Sequence, residues 1–213
     1  MSQPRCRLYL VSPPGLEPEA FAGLLEAALE GGDVACFQLR LARAADEDVR
    51  QAVARLMPLC HARDVAFVIA DRMDLAVELG AEGVHLEASR PPLRTARRRL
   101  GREAILGVSC GTSRHRAMVA GEAGADYVAF GPFFPSPAAG EIVPVDPEIL
   151  TWWTTVAAVP CVAWGGVTLE NCAPLIEAGA DFLAVSAAVW DHREGSKAAI
   201  RAFNDVIVRV GAS

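Results

Sequence analysis

Several short segments of this chain end in side chains that can handle a phosphorylated substrate. Gln38 and Arg40 close the run VACFQLR (34–40). A guanidinium at the end of an otherwise apolar strand sits where the strand leaves the core, and its planar fork matches a phosphate. A salt bridge to Asp71 or Glu87 is the other use of that charge. Asp71 follows AFVIA (66–70). A carboxylate so placed can hold Mg²⁺, which takes one or two carboxylates together with substrate phosphates, or it can cap a helix. His85 lies within GVHL (83–86), and either a general base or a hydrogen-bonded core residue fits that setting. Ser109 ends AILGVS (104–109), and Ser136 stands in the long segment GPFFPSPAAGEIVPV (131–145). Gly165 and Gly166 follow CVAW (161–164), while Val185 and Ser186 close FLAVS (182–186). Paired glycines let backbone N–H groups face an anion closely. A serine opening a short helix is a second phosphate ligand. A tight turn followed by an ordinary helix cap accounts for the same residues without a ligand.

These positions share a rule of placement, because each follows a short apolar run. LYLV (8–11) and YVAF (127–130) complete eight such runs, and stretches with helical spacing separate them, such as Phe21, Leu24, Leu25, Ala28 and Leu29. Leu75, Val77 and Leu79 continue the helical pattern. Asp46, Thr168 and Ser196 are expected as N-caps, with Pro18 and Pro147 near first turns. Strand alternating with helix implies parallel pairing, and strands covered on both faces read as continuous apolar runs. The pattern predicts a single (β/α)₈ barrel over residues 1–213, with functional groups at the C-terminal ends of its strands. An open doubly wound sheet is the rival, but VSPPGLEP stands after the first strand where a GxGxxG would be expected. Gly-Ala-Glu or Gly-Ala-Asp precedes a strand at 80–82, 124–126 and 179–181, the glycine serving as a left-handed helix end.

Composition narrows the function. The 213 residues carry a net charge of −6, which disfavours nucleic acid as a partner. The basic run Arg94, Arg97, Arg98 and Arg99 reads as the solvated face of a helix begun by Pro91 and Pro92. Although 52% of residues are hydrophobic, no run reaches the ~20 needed to cross a membrane, and the N-terminus lacks a signal-peptide centre. Six cysteines without a CxxC pair read as reduced thiols of a cytoplasmic protein. His61, His85, His115 and His192 are too dispersed for a zinc site. The expected partner is a phosphorylated small molecule, with a homo-oligomer possible.

The order QLR, MDLAVELGAEGVHL, LGVS, GADYVAFGPFFPS, VAWGGVT and AGADFLAVSAAVW resembles the thiamine-phosphate synthase and TenI superfamily from Leu8 to about Phe203. The resemblance implies a transferase that joins a hydroxymethylpyrimidine diphosphate to a thiazole phosphate, releases pyrophosphate and uses Mg²⁺. It implies that Arg40 binds the diphosphate and Asp71 the metal. Ser109 then lies near the reacting groups as a catalytic residue with Arg40, Ser136 near the thiazole, and Gly166 and Ser186 around its phosphate, with Gln38, Gly165 and Val185 as further substrate-binding residues. Some positions depart from the pattern. Ala42 replaces a lysine, Ala70 an asparagine, Arg90 a second metal-binding aspartate, and Ala138 and Ala139 a threonine and lysine. Pro132 occupies the place of the tautomerase branch's histidine. Each charge-assisted hydrogen bond so lost is worth roughly 1.5–3 kcal/mol. Arg43, Arg72, Glu87 and Arg90 are the charges available to compensate from shifted positions. The alternative is a family member that binds a phosphorylated small molecule, TenI-like or regulatory, without synthase activity.

Overall fold

In a computed structural model, residues 6–87, 92–135 and 144–211 are described. Eight strands close a parallel barrel in sequence order: β1 (Arg7–Val11), β2 (Cys36–Leu39), β3 (Ala66–Ala70), β4 (Gly83–Glu87), β5 (Ile105–Gly111), β6 (Tyr127–Phe130), β7 (Cys161–Ala163) and β8 (Phe182–Val185). β8 returns to β1 with Leu183 opposite Leu8 and Val185 opposite Leu10. The connecting helices are α1 (Pro18–Leu29), α2 (Asp46–His61), α3 (Met73–Leu79), α4 (Leu93–Leu100), α5 (Arg114–Glu122), α6 (Glu148–Val156) and α7 (Ala173–Glu177). A short α8 (Ala187–Trp190) precedes the closing α9 (Ser196–Gly211). The chain is therefore a (β/α)₈ barrel.

Alternation along each strand divides the core in two. Leu8, Leu10, Phe37 and Leu39 point outward into the layer beneath the helices. Tyr9, Cys36, Val68, Tyr127, Val162 and Ala184 fill the barrel itself. By the same parity Gln38, Glu87, Ser109 and Ser186 belong to the inward row near the strand C-termini. The barrel rule thus delivers polar residues to one mouth.

The opposite end is fastened by the Gly-Ala-acid repeat. Gly80 ends α3 in the left-handed conformation with φ +69°, and Gly124 and Gly179 also have positive φ. The acid that follows does more than start the next strand. Glu82 accepts the backbone N–H of Phe67 at 2.8 Å, Asp126 that of Leu106 at 2.7 Å, and Asp181 that of Cys161 at 2.8 Å. Each carboxylate thereby caps the start of the neighbouring strand.

Several local expectations are corrected. Asp46 is the first helical residue of α2 rather than its cap; Asp48 accepts the Ala45 N–H at 3.1 Å. Thr168 does not cap a helix: its N–H donates to the Asn171 side chain at 2.8 Å, and α7 starts only at Ala173. Ser196 is buried and donates its hydroxyl to the Leu24 carbonyl, pinning α9 to α1, while Gly195 accepts the first helical bond. Val77 is 58% exposed, whereas Leu75 is buried. Within the basic run, Arg97 is no solvated charge. It donates to the carbonyls of Gly101, Ala104 and Gly124 and pairs with Asp126, tying α4 to the loops beneath it.

Candidate active site

The mouth is organised by a residue that the sequence alone did not single out. Ser12, directly after β1 and 2% exposed, donates its N–H to the Gln38 carbonyl at 2.9 Å. Its hydroxyl accepts the Arg40 N–H at 2.9 Å and donates to the Pro13 carbonyl. Its carbonyl in turn accepts the Ser186 hydroxyl at 3.4 Å. One serine thus joins the loops after β1, β2 and β8. Its only sequence signal is a small polar residue closing an apolar run before two prolines.

Arg40 is exposed at this rim, and among the described residues it makes no ion pair within 4 Å. The salt bridge to Asp71 or Glu87 is therefore not formed as a contact. Arg72 is committed elsewhere, to Asp46 and to the Ala44 carbonyl. Gln38 and Ser109 are buried polar residues of the inward row, and β4–β5 pairing sets Ser109 beside Glu87.

Asp71 sits at the end of β3 in the left-handed conformation, φ +56°, held by its N–H to the His85 carbonyl at 2.9 Å. Its Oδ1 lies 3.4 Å from the Glu87 N–H. Two carboxylates consequently share one edge of the mouth. Burial and then the Asp71 charge push the Glu87 carboxyl above its ordinary range, against the opposing pull of Arg40 and Arg116. Arg116, on α5, is thus a further cation of this rim. No group of three or more His, Cys, Asp or Glu suited to a metal occurs among the described residues.

His85 is half-buried, stacked on Tyr127 with ring centres 5.7 Å apart, and its Nδ1 lies 3.0 Å from the Tyr127 hydroxyl. Burial, with a smaller contribution from Arg40, lowers its pKa to about 4, so the ring is neutral at physiological pH.

Across the mouth, the loop after β7 is packed beneath the loop after β6. Phe133 donates its N–H to the Trp164 carbonyl and Phe134 to the Gly165 carbonyl, both at 3.0 Å. Gly165 and Gly166 have φ of +96° and +61°. A Cβ at 166 would stand 2.6 Å from the carbonyl oxygens of Phe134 and Pro135. Close chain packing alone requires glycine here, in addition to any anion. Asn171 donates to the Gly166 carbonyl at 2.9 Å and holds the turn. Ser186 precedes α8 without a side-chain cap bond, and Trp190 anchors that helix through the Val11 carbonyl. Val185 is buried in the outer layer, so only its backbone faces the mouth. The Trp164 indole N–H is buried without a partner among the described residues. Ser136, Ala138, Ala139 and Arg90 lie outside the described residues.

Comparison with known proteins identifies this architecture. A family model described as thiamine monophosphate synthase matches residues 8–189. A curated thiamine-phosphate synthase of Rhodospirillum centenum is 56% identical over 202 residues, covering 95% of this chain and 98% of that protein. Its counterpart in Erythrobacter litoralis is 49% identical, covering 94% and 95%. Among solved structures, a thiamine phosphate pyrophosphorylase from Pyrococcus furiosus superposes with a TM-score of 0.83 at 28% identity, covering 97% of this chain and 98% of that one. The chain belongs to the thiamine monophosphate synthase family.

Proposed function

We propose that the chain joins a hydroxymethylpyrimidine diphosphate to a thiazole phosphate and releases pyrophosphate. The observation that carries this reading is the two-sided mouth of a family barrel: Arg40, Asp71 and Glu87 on one side, and the Gly165–Gly166 turn with Ser186 on the other. Arg40, free of any carboxylate contact among the described residues, clamps the diphosphate through its planar fork. Gln38 and Ser109 hold the pyrimidine at the inward row, where burial excludes water. The backbone N–H groups at Gly166 and the Ser186 hydroxyl take the thiazole phosphate.

Asp71 and Glu87 suit Mg²⁺, which needs only one or two carboxylates beside waters and substrate phosphates. Asp71 Oδ1 lies against the Glu87 N–H, and the Asp71 charge helps to raise the Glu87 carboxyl, a repulsion that a cation held by both would relieve. Mg²⁺ held by Asp71 and Glu87 would supply positive charge to offset that of the diphosphate. In the transfer the methylene–oxygen bond breaks with its electron pair leaving on pyrophosphate, whose charge Arg40 meets, and the thiazole nitrogen supplies the pair for the new carbon–nitrogen bond. Glu87 takes the part left open by Arg90. No membrane-crossing helix occurs among the described residues, and all six cysteines are free and buried, which fits a reducing cytoplasm.

Purified protein with both substrates and Mg²⁺ should release pyrophosphate, and Glu87→Gln should raise the Mg²⁺ concentration needed for half-maximal rate. No pyrophosphate above a protein-free control would reject synthase activity. Retained calorimetric binding of the thiazole phosphate in that case would favour the binding-only family member.

A further inference from the structure

The barrel interior holds a run of hydroxyl groups with no part in the reaction as described above. Tyr9 Oη lies 2.7 Å from Tyr127 Oη, which lies 3.0 Å from His85 Nδ1. The two tyrosines are 3% and 7% exposed. They come from β1 and β6, while His85 comes from β4, so the run crosses the barrel. We propose that Tyr127, locked by Tyr9, is a positioning residue that holds His85 with Nδ1 as acceptor and its Nε2–H turned to the mouth, where it donates to the bound substrate. The proposal rests on the transfer reaction argued above.

The polarity follows from counting donors and acceptors. A neutral imidazole has one N–H and one acceptor nitrogen, and the partner of one nitrogen decides which is which. Among the described residues, the polar partners of Tyr9 Oη are the Tyr127 oxygen and the Cys36 sulfur, a weak acceptor. If Tyr127 donated to Tyr9, the Tyr9 proton would be left facing only that sulfur, inside the barrel. With Tyr9 donating to Tyr127, the Tyr127 proton goes to Nδ1, and both phenol protons meet a strong acceptor. His85 then carries its proton on Nε2.

Geometry supplies the direction. Tyr127 is buried and lies against one face and the Nδ1 edge of the imidazole, so the exposed part of the half-buried ring is the edge away from it. Gly107 keeps the space for the Tyr127 ring: a Cβ there would lie 2.0 Å from Tyr127 Cζ. The tyrosine is thus fixed by sterics as well as by hydrogen bonds. The groups facing His85 include Arg40, whose charge also reaches the ring.

The test uses the full chain with ring-¹⁵N histidine, the His85 signals being assigned by their loss in His85→Gln. At neutral pH the wild type should show the Nε2–H tautomer. Tyr127→Phe keeps the ring but removes the hydroxyl; it should convert His85 to a tautomer mixture and lower kcat by about tenfold, the scale of one misdirected hydrogen bond. KM should change little. Tyr9→Phe should produce the same changes in smaller degree, and it serves alone should Tyr127→Phe fail to fold. An Nδ1–H tautomer in the wild type would overturn the proposal. So would a variant in which tautomer and kcat do not change together. Absence of pyrophosphate release by the wild type rejects the transfer reaction instead, and the tautomer measurement still decides whether the hydroxyl run sets the ring.

Discussion

Gly107 on β5 and Tyr127 on β6 are complementary: the ring of the tyrosine occupies the volume that any side chain at 107 would take, within 2.0–2.5 Å of an added Cβ. The consequence for stability is direct. Gly107→Ala cannot be accommodated by rotating a flexible end, because Tyr127 is hydrogen-bonded to both Tyr9 and His85. Overpacking of this kind costs typically 1–3 kcal/mol, and we expect about 3 kcal/mol in denaturant unfolding. A second change, Tyr127→Leu, should recover part of that loss. A Gly107→Ala protein as stable as the wild type would show that the ring has room to move.

Protonation of His85 should link stability to pH. Desolvation lowers the pKa of the half-buried imidazole to about 4 in the folded chain, against an ordinary value of about 6.5 when unfolded. The folded state disfavours the charged form, so this contribution is complete above about pH 6.5 and is lost as pH falls toward about 4. His85→Gln does not titrate. Its urea midpoint should therefore fall less than that of the wild type between those limits. Parallel decline of the two proteins would assign the acid sensitivity to other groups.

Arg97 and Arg98 adjoin in sequence and differ in consequence. Arg97 satisfies three backbone carbonyls and Asp126, whose second task is to cap the β5 N–H of Leu106. Arg98 is exposed, and its one hydrogen bond among the described residues is to the Thr95 hydroxyl. Arg97→Met should cost about 2 kcal/mol, the scale of a hydrogen-bond network left without its donor. Arg98→Met should stay within about 0.5 kcal/mol of the wild type. Equal thermal shifts for the two would return the basic run to a solvated face.

The barrel was legible because parallel strands covered on both faces leave uninterrupted apolar runs, and YVAF and AFVIA match β6 and β3 end to end. The run CVAW exceeds β7 by one residue: Trp164 lies outside the strand, although its N–H still donates to the Phe130 carbonyl at 3.0 Å. Residues at the mouth were legible as types at strand ends: Arg40, Asp71 and Ser186 stand at the rim as expected. What could not be read are contacts between distant segments. Tyr127 looks like strand filler until its hydroxyl meets Tyr9 from 118 residues away and His85 from 42. Ser12 reads as an ordinary loop entry, since its partners are on β2 and after β8. The Thr168 cap failed for a local reason: the chain makes only a turn there, the Thr168 carbonyl accepting the Asn171 and Cys172 N–H groups, and α7 starts at Ala173.

The glycine pair makes a prediction in which stability and binding separate. Gly166 has φ +61°, which an alanine adopts at a cost of about 1 kcal/mol, and the carbonyls of Phe134 and Pro135 must also withdraw from the new methyl group. Those carbonyls belong to the loop after β6, so the substitution pushes two walls of the mouth apart. Gly166→Ala should lower the melting temperature modestly and weaken thiazole phosphate binding by at least tenfold, about 1.4 kcal/mol. Gly80, with φ +69° and open space around its Cα, is the control for backbone strain alone. Gly80→Ala should show a comparable strain cost with unaltered binding. If both alanines lower stability and neither affects calorimetric affinity, the turn after β7 only packs the loop above it and takes no part in holding the phosphate.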